Sequence, residues 1–323
     1  MLLGFHGDVK PVAADPPDSA VAGHYGDPYR EQRRLVAGEA AVDLSHRPVL
    51  RITGPDRLSW LHSLVSQHVA DLQPGESTEA LVLSPNGHVE HHLHLLEDGD
   101  QVLAHVEPGT ATDLLAFLDS MRFMLRVEVS LADDLAVRWH PGDVDGPATR
   151  TGFGSYALTP KESAYDGELA GVLALEALRV AALRPRLGLD TDHRTLPHEV
   201  GWLGTAVHLD KGCYRGQETV ARVHNLGRPP RRLVLLHLDG SDSELPVVGA
   251  LVLLDGREVG RSGTAARHHE LGPIGLALVK RQVPDDAQLL VGGVTASIDA
   301  SADVPESPAR AAAAARAGLL RLR

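Results

Sequence analysis

Residues 210–222 read Asp210-Lys211-Gly212-Cys213-Tyr214-Arg215-Gly216-Gln217-Glu218-Thr219-Val220-Ala221-Arg222 and contain the chain's one cysteine. Cys213 lies between two cations, Lys211 and Arg215, with glycines at 212 and 216 that permit tight backbone turns. From Gly216 onward Gln, Glu, Val, Ala and Arg favour a helix, and Glu218 and Arg222 have the spacing of an i,i+4 ion pair. The thiol is therefore expected just before a helix N-terminus and beside two positive charges, features that each lower a thiol's pKa. A cysteine buried among apolar neighbours is the plain alternative. The polar, glycine-flanked setting favours an exposed, reactive sulfur.

Around this stretch, 323 residues suggest two domains. With 43% hydrophobic and 23% charged residues the chain can bury a core. The 31 Lys+Arg against 43 Asp+Glu leave a net charge of −12, which argues against DNA or an anionic membrane as a chain-wide partner. No run approaches the roughly 18 apolar residues that span a bilayer. Met1–Lys10 lack a secretory signal, so a soluble cytoplasmic protein is expected. A single cysteine allows neither an internal disulfide nor an all-cysteine metal cage.

Residues 1–27 are rich in Pro, Ala and Asp and read as a loosely held lead-in. Val49–Thr53 suggests a strand, and Gly54-Pro55-Asp56 opens a helix whose apolar face runs from Leu58 to Leu72. Ala80–Leu83 and Val89–Leu96 read as strands joined at Ser84-Pro85-Asn86-Gly87, where Asn-Gly is a hairpin signal. Gln101–Val106 should be a further strand, and Thr110 should cap a helix carrying Leu114, Leu115 and Leu118. The pattern changes near Arg228-Pro229-Pro230. Short apolar runs (233–238, 250–254, 275–279, 288–291) then alternate with Gly, Pro and Asp, as in a small antiparallel barrel. The segments are thus 1–27, 28–228, 229–302 and an Ala/Arg-rich tail, 303–323.

Gly152-Phe153-Gly154-Ser155-Tyr156-Ala157 matches the letters of a dinucleotide fingerprint but follows no strand, and reads as an ordinary loop. His88, His92 and His94 share one strand face with Glu90, while His91 faces the other way with Val89, Leu93 and Leu95. Side chains two apart on a strand stand nearly parallel, so a solvated face is expected rather than a metal site. His91 lies on the apolar side and needs a partner there.

The octapeptide Lys211–Glu218 resembles the K-G-C-[FY]-x-G-Q-E signature of the YgfZ proteins, folate-binding relatives of the glycine-cleavage T-protein, an aminomethyltransferase. The likeness extends through His24-Tyr25-Gly26, Asp43-Leu44-Ser45-His46, Ser84–Gly87 and Leu187–Asp190 through Pro197. It implies an α+β fold, a cloverleaf of subdomains around a central folate cavity, closed by a C-terminal antiparallel β-barrel. It also implies tetrahydrofolate as cofactor, a link to iron–sulfur cluster assembly or repair, and partners among the assembly machinery, its client proteins or tRNA. Cys213 and Lys211 become the candidate catalytic residues, in a motif loop with Gly212, Tyr214, Arg215, Gly216, Gln217, Glu218 and Arg222. Asn86, His91 and Arg228 become candidate folate ligands.

Two departures separate this chain from the T-proteins. Where they resemble one another in an Asp-Asp pair, this chain has His91-His92; where they carry a helical Glu, it has Ala181. Glu176 lies five residues earlier, about 140° around the helix axis, and is not expected to substitute. Amine-to-folate transfer needs a group that compensates an iminium-like cation, and neither neutral His nor Ala does so. A YgfZ-type role is therefore favoured over an aminomethyltransferase, a folate-dependent demethylase or a non-catalytic adaptor. Arg222, Arg228, Arg231 and Arg232 with His224 form a basic segment, read either as a solvated linker or as a ligand for folate carboxylates. With aromatics at 4% there is little for RNA bases to stack on.

Overall fold

The computed structural model describes residues 10–226, 228–241 and 244–302. Val49–Thr53 joins an antiparallel sheet of five strands in the order 77–83, 89–97, 101–105, 49–53, 128–131. The helices Arg57–Leu64 and Ala111–Ser120 cover its outer face, burying Trp60, Leu61, Leu114 and Leu118 against Ile52, Leu93 and Leu95. A second sheet follows the order 148–151, 154–160, 135–140, 40–43, 168–170, and only its last pair is parallel. Its core packs Trp139 and Val42 against Leu35 of helix Pro28–Ala37 and Leu175 and Leu178 of helix Val172–Ala181. Asp27 caps the first of these helices by accepting from the Tyr29 and Arg30 amides at 3.0 Å, Pro28 opens it, and Gly38 closes it at φ 77°. The third unit is a closed barrel in the order 231–238, 272–280, 257–268, 251–254, 288–291, 294–298. The expected α+β class and C-terminal antiparallel barrel are both present.

The differences from expectation have local causes. The helix after Gly54 ends at Leu64 instead of continuing to Leu72. The chain leaves it so that the Ser66 amide can donate to the Leu81 carbonyl at 2.9 Å and its hydroxyl to the Ala206 carbonyl at 2.6 Å. The barrel's longest strand, Arg257–His268, shows no apolar run in sequence. Gly260 is needed there, because a Cβ would lie 2.4 Å from the Leu278 carbonyl of the neighbouring strand. Gly152-Phe153 turns a hairpin between two strands of the second sheet. Within the lead-in, Val12–Ala13 and Ala22–His24 pair as short strands and Asp18 is buried, so the described part of it is held in place. The tail 303–323 lies outside the described residues. Among the described residues, no helix is long and apolar enough to cross a membrane.

Candidate functional site

The loop 211–218 is strapped to the first sheet on three sides. Lys211 is buried, and its ammonium donates to the carbonyls of His62, Val65 and Gln67 where the 57–64 helix ends. Burial pushes the Lys211 pKa down to about 8. Arg215 reaches Glu90 at 2.9 Å and lies over the Phe117 ring. Tyr214 is buried in the core shared with the barrel. On the third side two turns meet backbone to backbone: a Cβ on Gly216 would lie 2.5 Å from the Ser84 carbonyl, and one on Gly87 would lie 2.8 Å from Thr219 Cβ. Both glycines have positive φ, 84° and 79°. Gly216→Ala is therefore expected to destabilise the protein by about 1–3 kcal/mol and to loosen the loop, measured by urea unfolding and by proteolysis near residue 213.

Cys213 is exposed on the crest of this loop, ahead of the helix Gln217–Leu226. The two cations flanking it in sequence are engaged elsewhere, Lys211 on the carbonyl cage and Arg215 on Glu90. Lys211 thus anchors the loop through its carbonyl partners. Gln217 donates weakly to the Lys211 carbonyl at 3.5 Å. Glu218 and Arg222 are exposed and, among the described residues, do not form the expected ion pair. Gly212 is exposed in the same crest.

A bulge sets which histidines face inward. Leu83 pairs with Val89 but Val82 pairs with His91, so Glu90 is an extra residue in its strand. His91 and Glu90 consequently lie towards the 111–120 helix, where Arg215 meets Phe117, while Val89 turns to the inner core with Leu81 and Leu83. His91 is buried with its Nδ1 unpartnered, and burial lowers its pKa although Asp113 opposes the shift. It therefore lies across the sheet from His92. Asn86 is exposed in the turn that touches Gly216. Arg228 lies beyond the 217–226 helix and is exposed.

The face expected to be solvated is instead buried under the second sheet. His92 and His94 are each 7% exposed and His105 is fully buried. His94 and His105 stack at 4.5 Å and 2° between planes, with Tyr156 of the second sheet 4.7–5.1 Å from both. His105 bonds Thr149 at 2.9 Å, and His92 packs on Trp202 at 4.5 Å. Burial drives His94 down to about 3 and His105 well below its usual value. The rings stack instead of converging, and no group of three or more potential ligands among the described residues is arranged to hold a metal.

One residue that sequence reasoning missed sits at the centre of this layer. Glu79, from the adjacent strand, places a carboxylate oxygen 3.0 Å from His92 Nε2 and the other 2.7 Å from Arg184. Arg184 and His92 hold its pKa well below the usual carboxylate range against the opposing effect of burial, so it stays ionised. In sequence Glu79 is an ordinary polar residue before an apolar run; only strand pairing brings it to His92. Glu176 is held by Arg179 at 2.6–2.7 Å and by Arg186 at 3.1 Å. Arg186 also binds Asp18 and Glu107, and Arg179 binds Asp190 at 2.7 Å, which closes a buried ionic network.

With this geometry in view, the chain can be set beside known proteins. No protein-family model matches it. It is 25% identical over 317 residues to a chloroplastic protein of Arabidopsis thaliana that bears a transferase name, covering 84% of this chain and 71% of that one. It is 28% identical to an aminomethyltransferase of Geobacillus kaustophilus, over 79% of this chain and 83% of the other. A third relative, the mitochondrial iron-sulfur cluster assembly factor IBA57 homolog of Mycosarcoma maydis, is 30% identical over 59% of this chain and 55% of its own length. Among solved structures, the glycine cleavage system aminomethyltransferase T of Bartonella henselae superposes with a TM-score of 0.74 at 17% identity, covering 95% of this chain and 99% of that one. That likeness shows the T-protein fold. Together the homologues and the structural neighbour support the aminomethyltransferase superfamily, on a T-protein fold, as the frame for this site.

Proposed function

We propose that the chain is a folate-binding protein supporting iron–sulfur cluster assembly or repair, with Cys213 as its reactive thiol. The observation that carries the folate half is the buried Glu79–His92–Arg184 group, in which a carboxylate from strand 77–83 meets the neighbouring strand where the sequence offered only histidines. A reduced pterin presents paired N–H donors beside a carbonyl; Glu79 would accept from the former and Arg184 would donate to the latter. Trp202 supplies an apolar wall, and the buried, unpartnered Nδ1 atoms of His94 and His105 offer further polar contacts. The donor set fits tetrahydrofolate, which when bound would supply a one-carbon carrier. Calorimetric titration with tetrahydrofolate and 5-formyl-tetrahydrofolate tests this. Saturable binding weakened about tenfold or more in Glu79→Gln is expected. The absence of heat and of any thermal shift at millimolar ligand would remove the reading.

The same group argues against aminomethyl transfer. The Glu79 charge is matched by Arg184 at 2.7 Å, so it is not free to compensate an iminium-like cation. No turnover is expected in a glycine-cleavage assay with lipoyl carrier protein. The cluster half of the proposal draws on the Mycosarcoma relative and on the exposure of Cys213 on a rigidly strapped loop. A sulfur there is open to a metal ion or a protein partner. Because the side chain is exposed, Cys213→Ala should change stability by no more than about 0.5 kcal/mol while lowering iron–sulfur enzyme activity in cells. Unchanged cellular activity would refute the thiol's role. tRNA modification rests on the family resemblance alone.

A further inference from the structure

The first sheet ends at strand Glu128–Leu131, which pairs with Val49–Thr53 on one side only. The Ala132 amide donates to the Val49 carbonyl at 2.8 Å, so the alternate residues Ser130 and Glu128 also turn their backbone groups to that neighbour. The N–H and C=O of Val129 and Leu131 therefore point away from the sheet, and among the described residues nothing pairs with them. Leu131 is exposed, and neither Pro nor Lys blunts the edge. The loop entering this strand carries an apolar tip: Phe123 is 81% and Met124 99% exposed, with Leu125 exposed beside them. Its shape is held. Phe123 has φ 49°, a left-handed conformation rare for an aromatic residue. Trp60 Nε1 donates to the Met121 carbonyl at 2.8 Å, the Leu125 amide to the Arg122 carbonyl at 3.0 Å, and Arg126 forks onto Asp56 at 2.7 and 3.0 Å.

We propose that a second copy of the chain docks on this edge, the two Glu128–Leu131 strands pairing antiparallel about a twofold axis. Only residues whose backbone groups face outward can exchange bonds across such an axis, which restricts the register. With Val129 opposite Leu131 of the second copy, each such pair exchanges both its N–H···O bonds, and the two apolar side chains meet on one face. Arg126 then lies across from Asp134 of the second copy, while both keep their present partners, Asp56 and Arg51. Moving the axis to Leu131 would set Glu128 against Asp134, two like charges. Moving it to Val129 would need the Val127 amide, which already donates to the Leu125 carbonyl at 3.0 Å. Phe123, Met124, Leu125 and Leu131 together offer roughly 500 Å² of exposed surface, so a twofold contact covering them removes roughly 1,000 Å² from water, the lower bound for a specific interface. Arg122 and Arg126 are paired with Asp119 and Asp56 at 2.8 and 2.7 Å, so the tip has no free cation beside it to hold an anionic membrane.

Sedimentation of the full chain from about 1 to about 200 µM, with a thermal melt of each protein, tests this. The wild type should dimerise with a dissociation constant on the order of 10 µM, as an interface of this size allows. Met124→Asp changes a side chain that lies in solvent, and Leu131→Pro removes an outward N–H at an edge position, so both should melt as the wild type does. Each should weaken the dimer about tenfold or more. Amide exchange at Val129 and Leu131 of the wild type should slow as its concentration rises. A wild type that stays monomeric at about 200 µM would overturn the proposal, and its pelleting with anionic lipid vesicles would then assign the tip to a membrane. A dimer that survives in both normally melting variants would place the contact elsewhere and overturn it too. Should either variant melt low, the wild-type exchange decides: amides at 129 and 131 indifferent to concentration would remove the edge pairing.

Discussion

Arg186→Ala is expected to destabilise the protein by about 3 kcal/mol, because it removes the one guanidinium shared by three buried carboxylates. The Arg186 side chain is 4% exposed and bonds Asp18 at 2.7 and 2.8 Å, Glu107 at 2.8 and 2.9 Å and Glu176 at 3.1 Å. Arg47 and His46 contact two of these acids, at 3.0 Å on Glu107 and 2.7 Å on Asp18, and Arg179 holds Glu176, so each acid keeps part of its pairing. The three acids come from the lead-in, from the end of strand 101–105 and from the 172–181 helix. The substitution should therefore free the lead-in as well as lower the urea midpoint. Arg186→Lys keeps the charge without the planar fork and should recover only part of the loss. A loss below about 1 kcal/mol at neutral pH would show that the network contributes little.

Acid should weaken the fold in two stages. His94 is held down to about 3, and His91 and His105 also lie below their usual value, all through burial. Below pH 6.5 the unfolded chain takes up protons that these folded rings refuse, so their contribution is complete above 6.5 and declines towards pH 3. For His94 alone that is of order 5 kcal/mol across the window. Glu107, held down to about 2 by Arg186 and Arg47 despite its burial, adds stability that is complete above 4.5 and lost towards pH 2. Both effects have the same sign. Urea midpoints should fall steadily from pH 7 to 5 and more steeply below 4.5, and His94→Asn should flatten the upper part. A midpoint constant between pH 7 and 5 would contradict the buried assignment of these rings.

Much of the architecture could be read from the chain. The strand Val49–Thr53, the hairpin at Asn86-Gly87, the helix after Gly216 and the start of the barrel follow local periodicity and turn chemistry, which act over a few residues. The exposure of Cys213 also followed from its polar, glycine-flanked neighbours. Strict alternation failed in strand 89–97, where one bulged residue moved Glu90 and Val89 to opposite faces from those expected. It failed again in reading His92 and His94 as solvated, because alternation identifies a face without telling what covers it.

The sequence by itself determined the strand Val49–Thr53, the hairpin at Asn86-Gly87, the start of the barrel and the loop that presents the sulfur, since each depends on neighbours within a turn or a strand, while the α+β class came through the family resemblance. Only the tertiary structure decided that Lys211 meets the carbonyls at the end of the 57–64 helix, that Glu79 meets His92, and that Asp18 joins Arg186 across 168 positions. Those outcomes depend on pairing between distant strands and on the neutralisation of buried charges, and no local pattern in the chain encodes either.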